Sequence, residues 1–246
     1  MIIDSVENSR KPLIFIHIPK TGGMSCLHFL SYYKSVTHTT IKEDLKNLKI
    51  QDADPSNYFS FTIIRNPWDR MVSNYFFHRT RNHNDARLYK KIEKSKLKKW
   101  IDDHKKENKF WRNISFKDWL KYFDENENLK LESIYDEIIK MNYMDYIGID
   151  NKISIDYIIN LHDINNEISV IKEISGKNIN YPHSNKSSHE DYRKYYDDKS
   201  IEIINKAYKK DIEAFNFNFE NKKYAENKKY WNQEKIKKMS KRIPII

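Results

Sequence analysis

Twice in this chain a short apolar run passes through a turn into a pattern of helical spacing. The first run, Leu13 to Ile18, is rich in β-branched and aromatic residues and ends at Pro19, as a buried strand does. The second run, Tyr58 to Ile64, ends before an Asn-Pro pair that is typical of a helix start. Two strand–turn–helix units predict an α/β fold with a parallel sheet and right-handed crossovers. Ligands of such sheets bind beyond the carboxyl ends of the strands, where both turns lie.

Other segments extend this prediction along the chain. Residues 79–125 are dense in charged side chains with scattered aromatics, and we interpret them as a helical insertion over one face of the sheet. We expect a single domain over residues 1–220 and a basic tail over residues 221–246, which we interpret as a flexible surface segment. The remaining predicted elements are an amphipathic helix over residues 114–123, a strand over residues 155–161, a helix that ends at Gly176, and a helix over residues 200–215.

Composition limits the classes of protein to which the chain can belong. With 39% hydrophobic residues among 246, the chain can form a core, and no apolar run approaches the roughly 18 residues of a membrane span. One cysteine excludes an intrachain disulfide, and the first residues carry no apolar signal segment. We therefore expect a cytoplasmic location. The net charge of +10 favours acidic partners such as nucleotides, acidic glycans, nucleic acid or anionic lipid, without choosing among them.

The first turn carries the sequence Lys-Thr-Gly-Gly in a chain that has only four glycines. A strand that leads into a helix through glycines can bind an anion, because free backbone N–H groups and the helix dipole face the ligand. Lys20 adds a positive charge, and Thr21 and Ser25 can donate hydroxyl hydrogen bonds. An ordinary tight turn with an exposed lysine is the alternative. The lysine precedes the glycines, so the loop is a poor match to the phosphate loop of nucleotide triphosphatases.

The stretch FIHIPKTGGMS resembles the 5′-phosphosulfate loop of sulfotransferases that use 3′-phosphoadenosine 5′-phosphosulfate (PAPS). It is most similar to carbohydrate sulfotransferases of the family 2 type, whose signature is HIPKTGGTS. Met24 replaces the threonine of that signature, which removes a hydroxyl but keeps a backbone N–H. The resemblance implies a parallel sheet like that of P-loop nucleotide triphosphatases, flanked by helices. It also implies that PAPS is bound by Lys20, Thr21, Gly22, Gly23, Met24 and Ser25.

The second turn, in IIRNPWDRMVSNY, resembles the 3′-phosphate motif of the same family. The resemblance implies that Arg65 and Ser73 hold the 3′-phosphate, and a guanidinium can grip phosphate through two parallel hydrogen bonds. Taken alone, Arg65 could pair with an acidic neighbour, and Ser73 could be an ordinary helix serine. We interpret Asp69 and Arg70 as structural residues that form caps or ion pairs.

Later segments extend the resemblance over roughly residues 13–219. The stretch PHSNKSSHEDYRKYYDD looks like a family loop near the nucleotide, and it implies donor contacts from Asn185, Lys186, Ser187 and Arg193. The chain departs from the family after the third predicted strand. Where relatives often have RFENL, this chain has NLHDI over residues 160–164, so any role of that glutamate is absent or altered.

Sulfuryl transfer also needs a base that takes the proton of the acceptor hydroxyl, and histidine is suited to this. Nine histidines are present. Our hypothesis is His38, because related glycan sulfotransferases use a histidine between the two phosphate motifs, with an exposed loop histidine as the alternative. Thr40 is predicted to cap the helix that follows. We interpret the others as a satisfied core residue (His17), a residue on a packed helix face (His28), pocket-rim residues (His78, His83) and loop-flanking residues (His183, His189).

The resemblance therefore implies a bacterial-type enzyme that moves the sulfuryl group of PAPS to a carbohydrate hydroxyl and releases PAP. Lys20 would offset charge on the leaving nucleotide, and no metal is expected. The acceptor could be a lipid-linked glycan, with peripheral membrane contact through the basic tail, and no specific nucleic acid is expected. Two alternatives stay open, a nucleotide-dependent kinase with an atypical phosphate loop and a non-catalytic polyanion-binding protein.

Overall fold

The structure is a computed structural model, which describes residues 1–3, 11–32, 37–80, 109–110, 112–124, 139–177, 180–182, 189–221 and 225–240. Two residues of the predicted donor site, Asn185 and Ser187, lie outside the described residues, as does Lys186 beside them. Residues 81–108 of the predicted helical insertion also lie outside. The predictions that concern these residues stay predictions.

The strands of the described residues form two sheets. They are β1 (Ile2–Ile3), β2 (Leu13–Ile16), β3 (Phe59–Ile64), β4 (Gly148–Ile149), β5 (Lys152–Ile153) and β6 (Tyr157–Asn160). The larger sheet has the order β1-β2-β3-β6, with β1 antiparallel to β2 and with β2, β3 and β6 parallel, whereas β4 and β5 pair separately. Every residue of the three parallel strands is buried, as in parallel sheets covered on both faces.

Helices cover both faces of the larger sheet. Within the described ranges they are α1 (Gly23–Phe29), α2 (Ile41–Ile50), α3 (Pro67–Thr80), α4 (Phe116–Leu120), α5 (Tyr143–Ile147), α6 (Ile164–Glu167), α7 (Ser169–Ser175), α8 (Asp198–Ala207), α9 (Lys209–Phe215) and α10 (Gln233–Ser240). Because side chains alternate along β2, Ile14 and Ile16 pack with α2 to α5, α8 and α9, whereas Leu13 and Phe15 pack with α1, α6, α7 and α10. In this part of the chain no helix is long and apolar enough to cross a bilayer.

The predicted parallel strands are confirmed, with small differences at their ends. β2 ends at Ile16 rather than at Ile18, where its pairing with Thr62 of β3 stops. β1 has no counterpart in the prediction, since two residues are too short for a pattern. The sheet therefore places the ends of β2, β3 and β6 side by side, which is the arrangement that the strand–turn–helix units predict.

The predicted helices are confirmed in type, but two of them are divided. The helix predicted over residues 200–215 breaks at Tyr208, whose buried hydroxyl donates to the Ile139 carbonyl oxygen at 2.6 Å. The helix that ends at Gly176 consists of α6 and α7, and Gly176 forms its C-cap with φ 69°. A tertiary contact such as that of Tyr208 leaves no trace in helical periodicity.

The described part of the basic tail, residues 225–240, packs against the sheet. The Asn227 side-chain amide and the Trp231 indole N–H both donate to the Ile158 carbonyl oxygen of β6, each at 2.8 Å. Met239 of α10 is buried with the core on that face. The expectation of a flexible surface tail therefore differs from the structure, because aromatic and apolar residues among the lysines contact the core.

We predict that Trp231→Ala destabilises the protein by about 2–3 kcal/mol, since half-buried Trp231 packs on Tyr157 at 4.5 Å between ring centroids. Urea unfolding would measure the change in the free energy of unfolding. The control is Lys237→Ala on the exposed side of α10, which should change the free energy by less than about 0.5 kcal/mol. An unchanged midpoint in the Trp231 variant would show that the tail adds nothing to the fold.

Candidate functional site

The loop after β2 is built from residues in the left-handed region. Lys20 has φ 65° and Gly22 has φ 88°, so the chain turns sharply into α1. The Thr21 hydroxyl donates to the Ile18 carbonyl oxygen at 2.9 Å, which closes the loop from within. A Cβ on Gly22 would lie 2.6 Å from Leu161 Cδ1. Gly22 is therefore suited to its place, where the backbone is left-handed and closely packed.

The loop after β3 contacts the first loop through Arg65. Arg65 Nη1 donates to the Lys20 carbonyl oxygen at 3.2 Å, and its Nε donates to Asp69 Oδ2 at 2.9 Å. His162 Nε2 lies 2.9 Å from the same carboxylate oxygen. Burial acts to raise the pKa of Asp69, but the close contacts with His162 and Arg65 outweigh it and lower that pKa. An ionised carboxylate therefore holds Arg65 at the edge of the sheet, and this is the pairing with an acidic neighbour that was the alternative interpretation of Arg65.

Arg70 supports the first loop from beneath. Its guanidinium is fully buried, and it donates from Nε to the Pro19 carbonyl oxygen at 3.2 Å and from Nη1 to that of Met141 at 3.3 Å. The guanidinium carbon lies 5.1 Å from the Tyr143 ring centroid and 5.6 Å from that of Tyr208. Arg70 thus has the structural role that we expected of it.

His38 lies just before α2 and contacts His17, which precedes the first loop. Its Nδ1 lies 2.8 Å from the His17 carbonyl oxygen. A carbonyl oxygen can only accept, so Nδ1 carries the proton and, in the neutral ring, the lone pair is on Nε2. Burial lowers the pKa of His38, and the nearby Arg70 guanidinium acts in the same direction. Thr40 caps α2 as predicted, by accepting from the Glu43 N–H at 3.2 Å.

His17 is buried against the start of α1. Its ring lies 4.7 Å from that of His38 and 5.7 Å from that of Phe15, by centroids. A Cβ on Gly23 would lie 1.9 Å from His17 Cδ2. Burial lowers the pKa of His17 to about 3, so the ring is neutral at pH 7. The prediction of a core residue is confirmed, but its hydrogen bonding differs, because His17 Nδ1 has no partner among the described residues.

The other histidines occupy different places from those predicted. His28 is exposed rather than packed, and His78 is buried in α3 rather than at a rim. His189 is half-buried and stacks on Phe76 at 5.5 Å between ring centroids. The two remaining candidates, His83 and His183, lie outside the described residues. Among the described histidines, these contacts place His17, His38 and His162 near the loops, but not His28, His78 or His189.

The remaining predicted donor residues differ in exposure. Ser25 and Ser73 are buried, in α1 and α3, and Met24 is half-buried. Arg193 lies in the short turn Tyr192–Tyr195, where its Nε and Nη2 donate to the two oxygens of Asp191 at 2.9 and 3.1 Å.

Among the described side chains, no group of three His, Cys, Asp or Glu residues could hold a metal ion.

Sequence reasoning missed His162 as a residue of the site. It lies in the single turn Leu161–Asp163 that follows β6. The signal was present, because NLHDI departs from the family pattern at this position, but its contact with Asp69 depends on the sheet order. The structure thus brings together the ends of three strands, with Lys20, Arg65 and His162 at one edge.

Comparison with known proteins gives one match. A family model described as the sulfotransferase family matches residues 5–218. This range includes both loops, His38 and the turn after β6. No curated protein and no solved structure matched the chain.

We predict that Gly23→Ala destabilises the protein by about 1–3 kcal/mol, because the added Cβ would meet the His17 ring. In a His17→Ala background the ring is gone, and the same change should cost less than about 0.5 kcal/mol. Urea unfolding of the four proteins of this cycle would measure the coupling. Equal costs in both backgrounds would show that the ring does not restrict residue 23.

Proposed function

The chain belongs to the sulfotransferase family, and from this premise we propose that it transfers the sulfuryl group of PAPS to a carbohydrate hydroxyl and releases PAP. Family membership supports sulfuryl transfer in general, and sulfotransferases generally use PAPS as donor. The observation that carries the proposal is the meeting of the two loops, in which Arg65 Nη1 bonds to the Lys20 carbonyl oxygen. Two loops that resemble the two phosphate motifs of a PAPS site are thus adjacent.

The side chains of the site suit a donor with two phosphate groups. The first turn of α1 contains no acidic residue, and Lys20 and Arg65 provide two cations. The Asp69 carboxylate already accepts a hydrogen bond from Arg65 and has His162 Nε2 at 2.9 Å. We propose that the 5′-phosphosulfate lies along the loop, on the backbone of Gly22 to Ser25, and that Arg65 and Ser73 hold the 3′-phosphate. Thr21 would contribute its backbone N–H, since its hydroxyl is used within the loop.

Charge stabilisation in this proposal comes from Lys20. Its ammonium lies 3.9 Å from the centroid of the Phe77 ring of α3, and a cation in this position is attracted by the ring face. The contact holds the ammonium of this first-loop residue against α3. From there it would offset negative charge on the oxygen that bridges sulfur and phosphate as the bond breaks.

Proton removal in this proposal comes from His38. The bond from sulfur to the acceptor oxygen forms while the bond from sulfur to the bridging oxygen breaks, and PAP leaves with the electron pair. The acceptor proton passes to His38 Nε2, which carries the lone pair because Nδ1 donates to His17. General bases of this kind contribute about 10²–10⁴-fold to the rate.

The acceptor and the setting are also proposals. A glycan acceptor, which could be lipid-linked, agrees with the family resemblance and with a net charge of +10. We propose a cytoplasmic reaction, with peripheral contact to anionic membrane through lysines of the basic tail. Asn185, Ser187 and Arg193 would complete the donor site. For Arg193 this requires release from Asp191, with which it pairs in the structure.

We predict that PAP raises the melting temperature far more than ADP does, because ADP lacks the 3′-phosphate that Arg65 would hold. At 100 times its Kd, PAP should add about 2.7 kcal/mol, or about 5–11 °C for a chain of this size. Arg65→Ala should abolish the difference between the two nucleotides. The exposed Arg112 provides a matched control, and Arg112→Ala should preserve the difference.

Other outcomes of this melting experiment would point elsewhere. Equal shifts with PAP and ADP would contradict a 3′-phosphate site and favour the kinase alternative. No shift with any nucleotide would favour a polyanion-binding protein, whose binding to nucleic acid should then depend steeply on salt.

We predict that His38→Ala lowers kcat for PAP release by about 10²–10⁴-fold while the Kd of PAP is unchanged, because the variant lacks only the proton acceptor. In the parent, kcat should fall as pH falls through the pKa of His38, because only the neutral ring accepts a proton. Since burial lowers this pKa below 6.5, the midpoint of the acidic limb should lie below pH 6.5. The exposed His28→Ala is the control, and near-normal turnover of His38→Ala would exclude His38 as the base.

A further inference from the structure

The turn Leu161–Asp163 contacts both predicted phosphate loops, although no motif assigns it a role. A Cβ on Gly22 would lie only 2.6 Å from Leu161 Cδ1, so Leu161 packs directly on the first loop. His162 Nε2 reaches Asp69 Oδ2 of the second loop at 2.9 Å. One turn therefore touches both loops at the edge of the sheet.

The turn is itself held in one conformation. The Asn160 side chain accepts the His162 backbone N–H at 3.1 Å, and the Asn160 backbone N–H donates to Glu167 Oε2 at 2.6 Å. The Glu167 carboxylate also accepts from the Asn227 amide at 3.0 Å. Asn160, Glu167 and Asn227 are buried, so the position of His162 is fixed by hydrogen bonds to core residues.

Asp69 Oδ2 has two close nitrogen neighbours, Arg65 Nε, which donates a hydrogen bond to it, and His162 Nε2, which lies 2.9 Å away outside hydrogen-bond geometry. Arg65 approaches it from the loop after β3, and His162 approaches it from the turn after β6. The Asp69 side chain is only 2% exposed, so these partners take the place of water. Arg65 has five N–H donors. Its hydrogen bonds to the described residues use the donor on Nε and one of the two on Nη1. The others remain for an anion.

We propose that His162 is a positioning residue that sets the preference of the donor site for a nucleotide with a 3′-phosphate. The inference rests on the proposed function. A carboxylate that has lost one of two close polar partners interacts more strongly with the one that is left. Without His162, Asp69 would hold Arg65 more tightly and offset more of its charge, at the expense of the phosphate. This chain has a histidine where relatives often have a glutamate, so the proposed positioning role depends on a residue particular to this sequence.

The experiment compares two polar variants that differ in reach. In His162→Gln the amide nitrogen can stand near the position of Nε2, whereas the shorter side chain of His162→Asn cannot reach Asp69. Isothermal titration with PAP and with ADP would give the ratio of the two dissociation constants for the parent and for each variant. The control is His28→Asn, at an exposed histidine of α1.

We expect His162→Asn to lose about tenfold in PAP affinity with the ADP affinity changed by less than about twofold, since the lost polar contact is to a charged group. His162→Gln and His28→Asn should keep the parent ratio. Equal losses for PAP and ADP, or an unchanged ratio in His162→Asn, would overturn the positioning role while the donor site stands. A parent that binds PAP and ADP equally would overturn the proposed function and this inference with it.

Discussion

The structure around the site depends on the buried guanidinium of Arg70. A charge without access to water costs several kcal/mol unless it is paired and hydrogen-bonded. Arg70 lies between the rings of Tyr143 and Tyr208 and donates to the carbonyl oxygen of Pro19, where the first loop begins. Asp211 lies near it, and burial raises the pKa of this carboxyl group to about 7. The loop after β2 therefore rests on a charge that the helices of one face enclose.

Three parallel strands end at the same edge of the sheet, above Arg70. The residues that follow these strands bring together the groups of the proposed site. Lys20 follows β2, Arg65 follows β3, and His162 follows β6. Arg65 bonds both to the first loop and to Asp69, so the two loops behave as one unit. The sheet supplies the adjacency, because strands that run in parallel present their carboxyl ends to the same space.

The two histidines beside this edge have different functions in the proposed reaction. The His17 carbonyl oxygen determines which nitrogen of His38 carries the proton, and the His17 ring packs on Gly23 at the start of α1. His17 thus connects the proposed base to the proposed donor loop. Its ring is neutral at pH 7, since burial lowers its pKa to about 3, and a neutral ring adds no competing charge to an anion site.

The sequence by itself determined the parallel strands, the helix starts at Gly23 and Pro67, the Thr40 cap and the family, because each depends on neighbouring residues. It placed Lys20, Arg65 and His38 in the segments that the structure brings to one edge. Only the tertiary structure decided the contact of His162 with Asp69 and the lack of a described hydrogen-bond partner for Nδ1 of buried His17. It also decided the division of the helix at Tyr208 and the packing of residues 225–240. These features join residues far apart in the chain, and no local pattern of apolar, polar or turn residues records which distant partner a side chain will meet.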